Sequence, residues 1–147
     1  MTLYLDTSVL IVYLFGEVNE PERFRSSRVL FDRIESGEVK AVISFYALQE
    51  LYSYILRKSP PEDVDEAFRI SLLTLFGLPL IVVPYLDRTK LELWRRKLSV
   101  SDATDLPHVA VALERNCDTI VAYDESFRGI TDALVYHTPE ELVEMGP

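Results

Sequence analysis

The sequence predicts a three-layer α/β domain: a mainly parallel sheet of about five strands flanked by about seven helices. Three observations carry this. Short apolar runs alternate with helix-length segments, and strands separated by helical crossovers pair in parallel with both faces covered. Gly16, Gly37, Gly77 and the prolines Pro21, Pro60, Pro61 and Pro79 punctuate the segments where helices end or restart. Finally, 147 residues that are 48% hydrophobic suffice for one domain, residues 1–147, with a packed core and no disulfides.

A strand at about 3–6 opens the chain and leads into a short, almost wholly apolar helix at 9–15. A polar turn, 16–21, precedes a helix at about 22–36, where Phe24, Val29, Leu30, Phe31 and Ile34 form an apolar stripe and Gly37 closes the end. A strand at about 40–43 follows, then a helix at about 46–58 stopped by Pro60-Pro61, which start another at about 61–76. Leu80-Ile81-Val82-Val83 reads as a buried strand. Helices at about 87–98 and 104–115 lead to a strand at 119–123. The tail holds a short strand near 134–136 and a helix from Pro139 onward.

The longest apolar stretch, 9–15, is too short to span a bilayer, and no basic region precedes it as in a signal peptide. The single cysteine, Cys117, excludes an intrachain disulfide and a cysteine-rich zinc site. It reads as a small packing residue, and the expected compartment is a reducing cytoplasm. The net charge of −9 argues against a nucleic-acid partner when taken alone. The basic residues are nonetheless clustered, Arg23, Arg25, Arg28 and Arg33 in one segment and Arg88, Lys90, Arg95, Arg96 and Lys97 in another. These are either solvated helix faces or a grip on phosphates.

Four acids, Asp6, Glu50, Asp105 and Asp124, stand where the chain leaves an apolar strand or opens a helix. In an open α/β sheet the strand ends converge on one crevice, where ligands bind. Carboxylates distant in sequence can meet there, and grouped carboxylates suit a hard divalent cation. Each acid also has a plainer reading. Asp6 can cap the following helix, although Thr7 and Ser8 serve equally, and a charge straight after Leu3-Tyr4-Leu5 is costly to desolvate unless neutralised. Ser8 offers a hydroxyl to a metal-bound water or a substrate phosphate. Pro107 belongs in a first helical turn, which places Thr104 as the N-cap and Asp105 in that turn, where the helix dipole favours an acid. His108, one turn on, reads as a packing or hydrogen-bonding residue beside the site. Asp124 can cap a short turn, with Glu125 solvated and Phe127 packed on the sheet. Asp118 and Asp102 read as surface turn residues, Asp102 at the margin of the site. On a helical wheel Glu50 lies opposite Leu48, Leu51, Tyr52, Ile55 and Leu56, beside Tyr46, Ser53, Tyr54 and Arg57. It is an exposed glutamate unless that face borders the crevice.

There is no glycine-rich phosphate loop, Gly-x-Ser-x-Gly elbow or His-x-x-x-His pair. An aspartyl-phosphate mechanism at Asp6 would call for a second acid two residues later, where the chain has Ser8.

The opening Leu3-Tyr4-Leu5-Asp6-Thr7-Ser8 resembles the start of PIN-domain nucleases. Ile43-Ser44 through Ala47-Leu48-Gln49-Glu50-Leu51 is similar to their second motif, Thr104-Asp105-Leu106-Pro107-His108-Val109-Ala110 to their third, and Ile120-Val121-Ala122-Tyr123-Asp124-Glu125-Ser126-Phe127 to their fourth. Each motif is weak alone; the ordered set of four is fairly specific and covers nearly the whole chain. The nearest likeness is to VapC-type toxins of toxin–antitoxin pairs. The resemblance implies a PIN-like fold and a Mg²⁺- or Mn²⁺-dependent endoribonuclease acting on RNA, usually a homodimer held inactive by a cognate antitoxin, with no membrane partner. It carries metal-site and catalytic roles onto Asp6, Glu50, Asp105 and Asp124, with Ser8, Ser126 and His108 around them. Many relatives place a further acid where this chain has Ser126. The competing expectation is a catalytically inactive PIN-fold module that binds protein or RNA, its acidic crevice receiving a partner's arginine.

Overall fold

The computed structural model describes residues 1–98 and 103–146. The described residues form five strands and seven α-helices in the order β1 (Thr2–Leu5), α1 (Thr7–Phe15), α2 (Pro21–Glu35), β2 (Lys40–Ser44), α3 (Phe45–Lys58), α4 (Val64–Phe76), β3 (Leu80–Val83), α5 (Arg88–Lys97), α6 (Leu106–Glu114), β4 (Thr119–Val121), β5 (Val135–His137) and α7 (Pro139–Met145). Single 3-10 turns occupy Pro61–Asp63 and Glu125–Phe127. No helix among the described residues is long and apolar enough to cross a membrane.

The sheet has the order β3-β2-β1-β4-β5, and every neighbouring pair is parallel. Side chains alternate between its faces, as strand geometry requires. Leu3, Leu5, Ala41, Ile43 and Val121 join one core with Leu10, Leu30, Phe31 and Leu51 from α1, α2 and α3. Tyr4, Val42 and Ile120 join the other with Val109 and Ala112 of α6. Both faces are covered, so β1 reads as an unbroken apolar run rather than an alternating one. α1 buries Thr7, Val9, Leu10 and Val12 against the core, while Ile11, Tyr13 and Leu14 are half-buried and Phe15 is exposed.

Three sequence expectations need correction. The helix expected at 61–76 is divided, because Pro60 and Pro61 impose extended and then 3-10 geometry before α4 begins at Val64. The strand Leu80–Val83 is an edge strand beside β2, so Ile81 is 43% exposed instead of buried. The cap expected at Thr104 falls one residue later: α6 begins at Leu106 with Asp105 at the cap position, where its side chain makes no capping bond. Cys117 is buried as expected, and burial pushes its thiol up to about 11.

This topology sets where chemistry collects. β1 is central; the chain moves from it to β2 on one side and returns to β4 on the other, a switch point at which strand ends open a crevice. Asp6 and Asp124 follow β1 and β4 at that end. Glu50 rides on α3, which leaves β2 there. α6 runs back toward the start of β4, so its N-terminus, with Asp105, faces the same end.

Candidate active site

Asp6 is held from three sides. Its backbone amide continues the β1–β4 ladder by donating to the Val121 carbonyl at 2.9 Å. Its Oδ2 accepts from the Ser8 amide at 3.2 Å and from the Ser8 hydroxyl at 2.7 Å. The Ser8 hydroxyl in turn accepts from the Tyr123 amide at 3.0 Å, locking the loop after β4 to the first turn of α1. Capping and site membership are therefore compatible, since one oxygen caps while Oδ1 lies 3.8 Å from His108 Nε2. Ser8, expected to face water or phosphate, is engaged within the protein and orients Asp6.

Glu50 settles the wheel's ambiguity. The polar face of α3 borders the crevice, a cleft of about 320 Å³ lined by Asp6, Thr7, Ser8, Ile11, Glu50, Ser53, Tyr54, Arg57 and Asp124. The Glu50 carboxylate is hydrogen-bonded to His108 Nε2 and accepts from the Thr7 hydroxyl at 3.3 Å. His108 is fully enclosed, and its Nδ1 meets the Tyr4 hydroxyl at 2.6 Å, which meets the Ser44 hydroxyl at 2.7 Å. Ser44 caps α3 by accepting from the Ala47 amide. A continuous chain thus runs from the α3 cap through the core to Glu50, leaving none of these buried polar groups orphaned.

Asp105 and Asp124 are joined through Ser126. Its hydroxyl donates to Asp105 Oδ2 at 2.5 Å, and its amide donates to Asp124 Oδ1 at 2.9 Å. Asp124 caps the turn Glu125–Phe127, and Phe127 is buried with its ring 6.3 Å from that of His108. Glu125 is exposed and paired with Arg128. Asp118 accepts from the Thr2 amide at 2.8 Å, a structural turn contact. Asp102 lies outside the described residues.

The electrostatics follow from burial. Asp6 and Asp105 are each only 6% exposed. Desolvation pushes the Asp6 carboxyl above its ordinary range, against the opposing pull of His108 and of the Ser8 hydrogen bonds. For His108 burial disfavours the imidazolium, but the hydrogen bond to Glu50 and the charges of Asp6, Glu50 and Asp105 more than offset it, so its pKa is raised.

Among the described residues, no three His, Cys, Asp or Glu side chains stand close enough to enclose an ion. The donor chemistry still fits one kind of cation. The acids are oxygen donors at an open cleft, with no cysteine near, and Mg²⁺ keeps several waters while using one or two carboxylates. The buried, desolvated Asp6 carboxylate at the cleft wall is a group that a cation would relieve.

The arginine segments do not act as units. Arg33 donates to the Leu142, Val143 and Gly146 carbonyls at the end of α7 and pairs with Glu38, a structural role. Arg23 pairs with Glu20 and stacks over the Tyr123 ring at 4.4 Å. On α5, Arg95 pairs with Glu92 and Lys90 lies 3.9 Å from Glu114 of α6. Conversely, Thr7, Tyr54 and Arg57 line the cleft, and the sequence alone does not mark them as site residues. Tyr54 and Arg57 share the helical arc of Glu50, the one signal that pointed to them.

The family model for the PIN domain matches residues 3–133. No curated protein sequence matches the chain. Among solved structures, it is similar to VapBC2 from Rickettsia felis bound to a DNA fragment from their promoter, with 17% identity, a TM-score of 0.67, and coverage of 94% of this chain and 98% of that one. It is also similar to VapC20 of Mycobacterium tuberculosis, a sarcin–ricin loop cleaving toxin, with 12% identity, a TM-score of 0.63 and coverage of 88% and 97%. A third likeness is to VapBC-1 from nontypeable Haemophilus influenzae, at 22% identity, a TM-score of 0.62 and coverage of 95% and 99%. At these identities the likeness is one of fold.

Proposed function

The chain belongs to the PIN-domain family, and from that premise we propose that it is a Mg²⁺- or Mn²⁺-dependent endoribonuclease that hydrolyses RNA phosphodiesters. The observation that carries the reading is the convergence of Asp6, Glu50 and Asp124 on one cleft, with Asp105 tied to Asp124 through Ser126. Asp6, Asp105 and Asp124 are assigned to hold the cation, directly or through its waters, and Glu50 to orient water. When bound, the ion polarises the phosphoryl oxygens and lowers the pKa of a coordinated water. The chain's own residues prepare that event: Ser8 fixes Asp6, His108 and Thr7 fix Glu50, and Ser126 sets the spacing of Asp105 and Asp124. We assign the biological role of a toxin in a toxin–antitoxin pair, acting in the cytoplasm as a homodimer restrained by a cognate antitoxin. The VapC and VapBC structures that share the fold support that assignment.

The test is cleavage of single-stranded RNA by purified protein with Mg²⁺, Mn²⁺ or EDTA. Cleavage dependent on either metal is expected, and binding of RNA without cleavage in any metal would favour the inactive-module reading. Ser126→Ala is expected to lower Mn²⁺ affinity about tenfold by releasing the Asp105 carboxylate from the hydroxyl that orients it, while the backbone amide still holds Asp124. Calorimetry reads this directly, and an unchanged affinity would remove Ser126 from the site.

A further inference from the structure

Among the described residues, Arg57 is the one cation lining the acidic cleft. It sits on the face of α3 that carries Glu50, Ser53 and Tyr54, two turns beyond Glu50. That displacement is about 10 Å along the helix axis, no more than about three nucleotides of stacked strand. Several arginines away from the cleft are paired with the protein's own acids: Arg69 with Glu66 at 2.6 Å, Arg128 with Glu125 at 2.8 Å, Arg23 with Glu20 at 3.2 Å. Arg57 has no ion-pair partner among the described residues, although the chain has a net charge of −9. Position in the last turn of α3 suits a cation through the helix dipole, but Lys58 meets that need in the same turn and does not line the cleft.

Tyr54 stands between Glu50 and Arg57. Its ring is half-buried and braced by Phe15 of α1, centroids 5.8 Å apart and planes tilted 38°. A braced aromatic ring next to a phosphate-binding cation is the pairing that single-stranded nucleic acids use, the ring stacking a base while the cation holds the backbone. Arg presents a planar fork matched to phosphate oxygens.

We infer that Arg57 and Tyr54 form the substrate-positioning wall of the cleft, Arg57 gripping a backbone phosphate within about three nucleotides of the scissile one and Tyr54 stacking an unpaired base. Tyr54 therefore selects for an unpaired base at its own position on the strand, because a base held in a duplex cannot reach the ring. This inference rests on the nuclease reading and specifies how that site chooses its strand.

The experiment measures binding of a short single-stranded oligoribonucleotide, and of the same strand in a duplex, by fluorescence anisotropy with Ca²⁺ in place of the catalytic metals. Cleavage in Mn²⁺ is assayed in parallel. Arg57→Ala should weaken single-strand binding roughly tenfold at low salt and lower the steepness of its log–log salt dependence by about 0.7. Arg57→Lys should restore the salt dependence and part of the affinity. Tyr54→Ala should weaken single-strand binding about tenfold, and Tyr54→Phe should not. The duplex should bind more weakly than the single strand. Equal affinity and salt dependence for wild type and Arg57→Ala, or equal binding of both RNA forms, in a protein that cuts RNA overturns this proposal alone. A wild type that neither binds nor cuts RNA overturns the nuclease reading and this proposal together.

Discussion

Asp6→Asn is expected to lower RNA cleavage by roughly a thousandfold or more while leaving the metal-free protein as stable as the wild type, within about 1 kcal/mol. The two halves have different causes. Activity falls because the variant loses a formal charge at the cleft wall, where Asp6 Oδ1 lies 3.8 Å from His108 and Oδ2 is locked by Ser8. Stability holds because burial already raises the Asp6 pKa, so the fold disfavours the charged form that the substitution removes. An amide oxygen still accepts from the Ser8 amide and preserves the cap of α1. Cleavage assays paired with thermal melts decide the matter. Loss of folding in parallel with activity would make Asp6 a structural residue, and retained cleavage would dismiss it from the chemistry.

Much of the candidate site is legible in the sequence, for a physical reason. Asp6 and Asp124 each follow an apolar strand, and parallel strands bring such positions together whatever lies between them in sequence. Pro107 likewise marked the start of α6 to within one residue, because proline is restricted to the first turn. What the sequence lacked was tertiary neighbours. The wheel could group Glu50 with Tyr54 and Arg57 but not say whether their face met water or a crevice. Thr104 looked like the cap because its hydroxyl is the usual chemistry, yet Asp105 takes the cap position while its carboxylate turns to Ser126. β3 looked buried because four apolar residues in a row read alike in a central strand and an edge strand. The arginine segments read either as solvated helix faces or as a grip on phosphates because sequence shows charge without partners, and Arg33 is in fact the clasp on α7.

His108→Ala should destabilise the metal-free protein by about 2–3 kcal/mol near pH 6, as measured by urea unfolding. The side chain is enclosed by Tyr4 and Phe127, and its removal leaves a void, deprives Tyr4 of one of its two partners and exposes Asp6 and Glu50 to each other without the intervening ring. Glu50 is 46% exposed, and solvent screening of its share keeps the figure below that of a fully buried pair. The pH dependence identifies the cause. Both Asp6 and His108 have raised pKa values, so the folded state binds more protons than the unfolded chain. Their contribution is complete below the unfolded values and is lost as pH rises through the folded ones. Wild-type stability without metal should consequently decline between about pH 5 and 8. Glu66, Glu125 and Glu141 are held below their ordinary values by Arg69, Arg128 and His137, and they act in the opposite sense only at more acid pH. His108→Gln separates packing from charge, because it refills much of the space and offers a hydrogen bond but cannot titrate. It should recover part of the lost stability while showing the shallower pH dependence of the alanine variant. A glutamine variant with the wild-type slope would place the titrating group elsewhere and leave His108 as a packing residue.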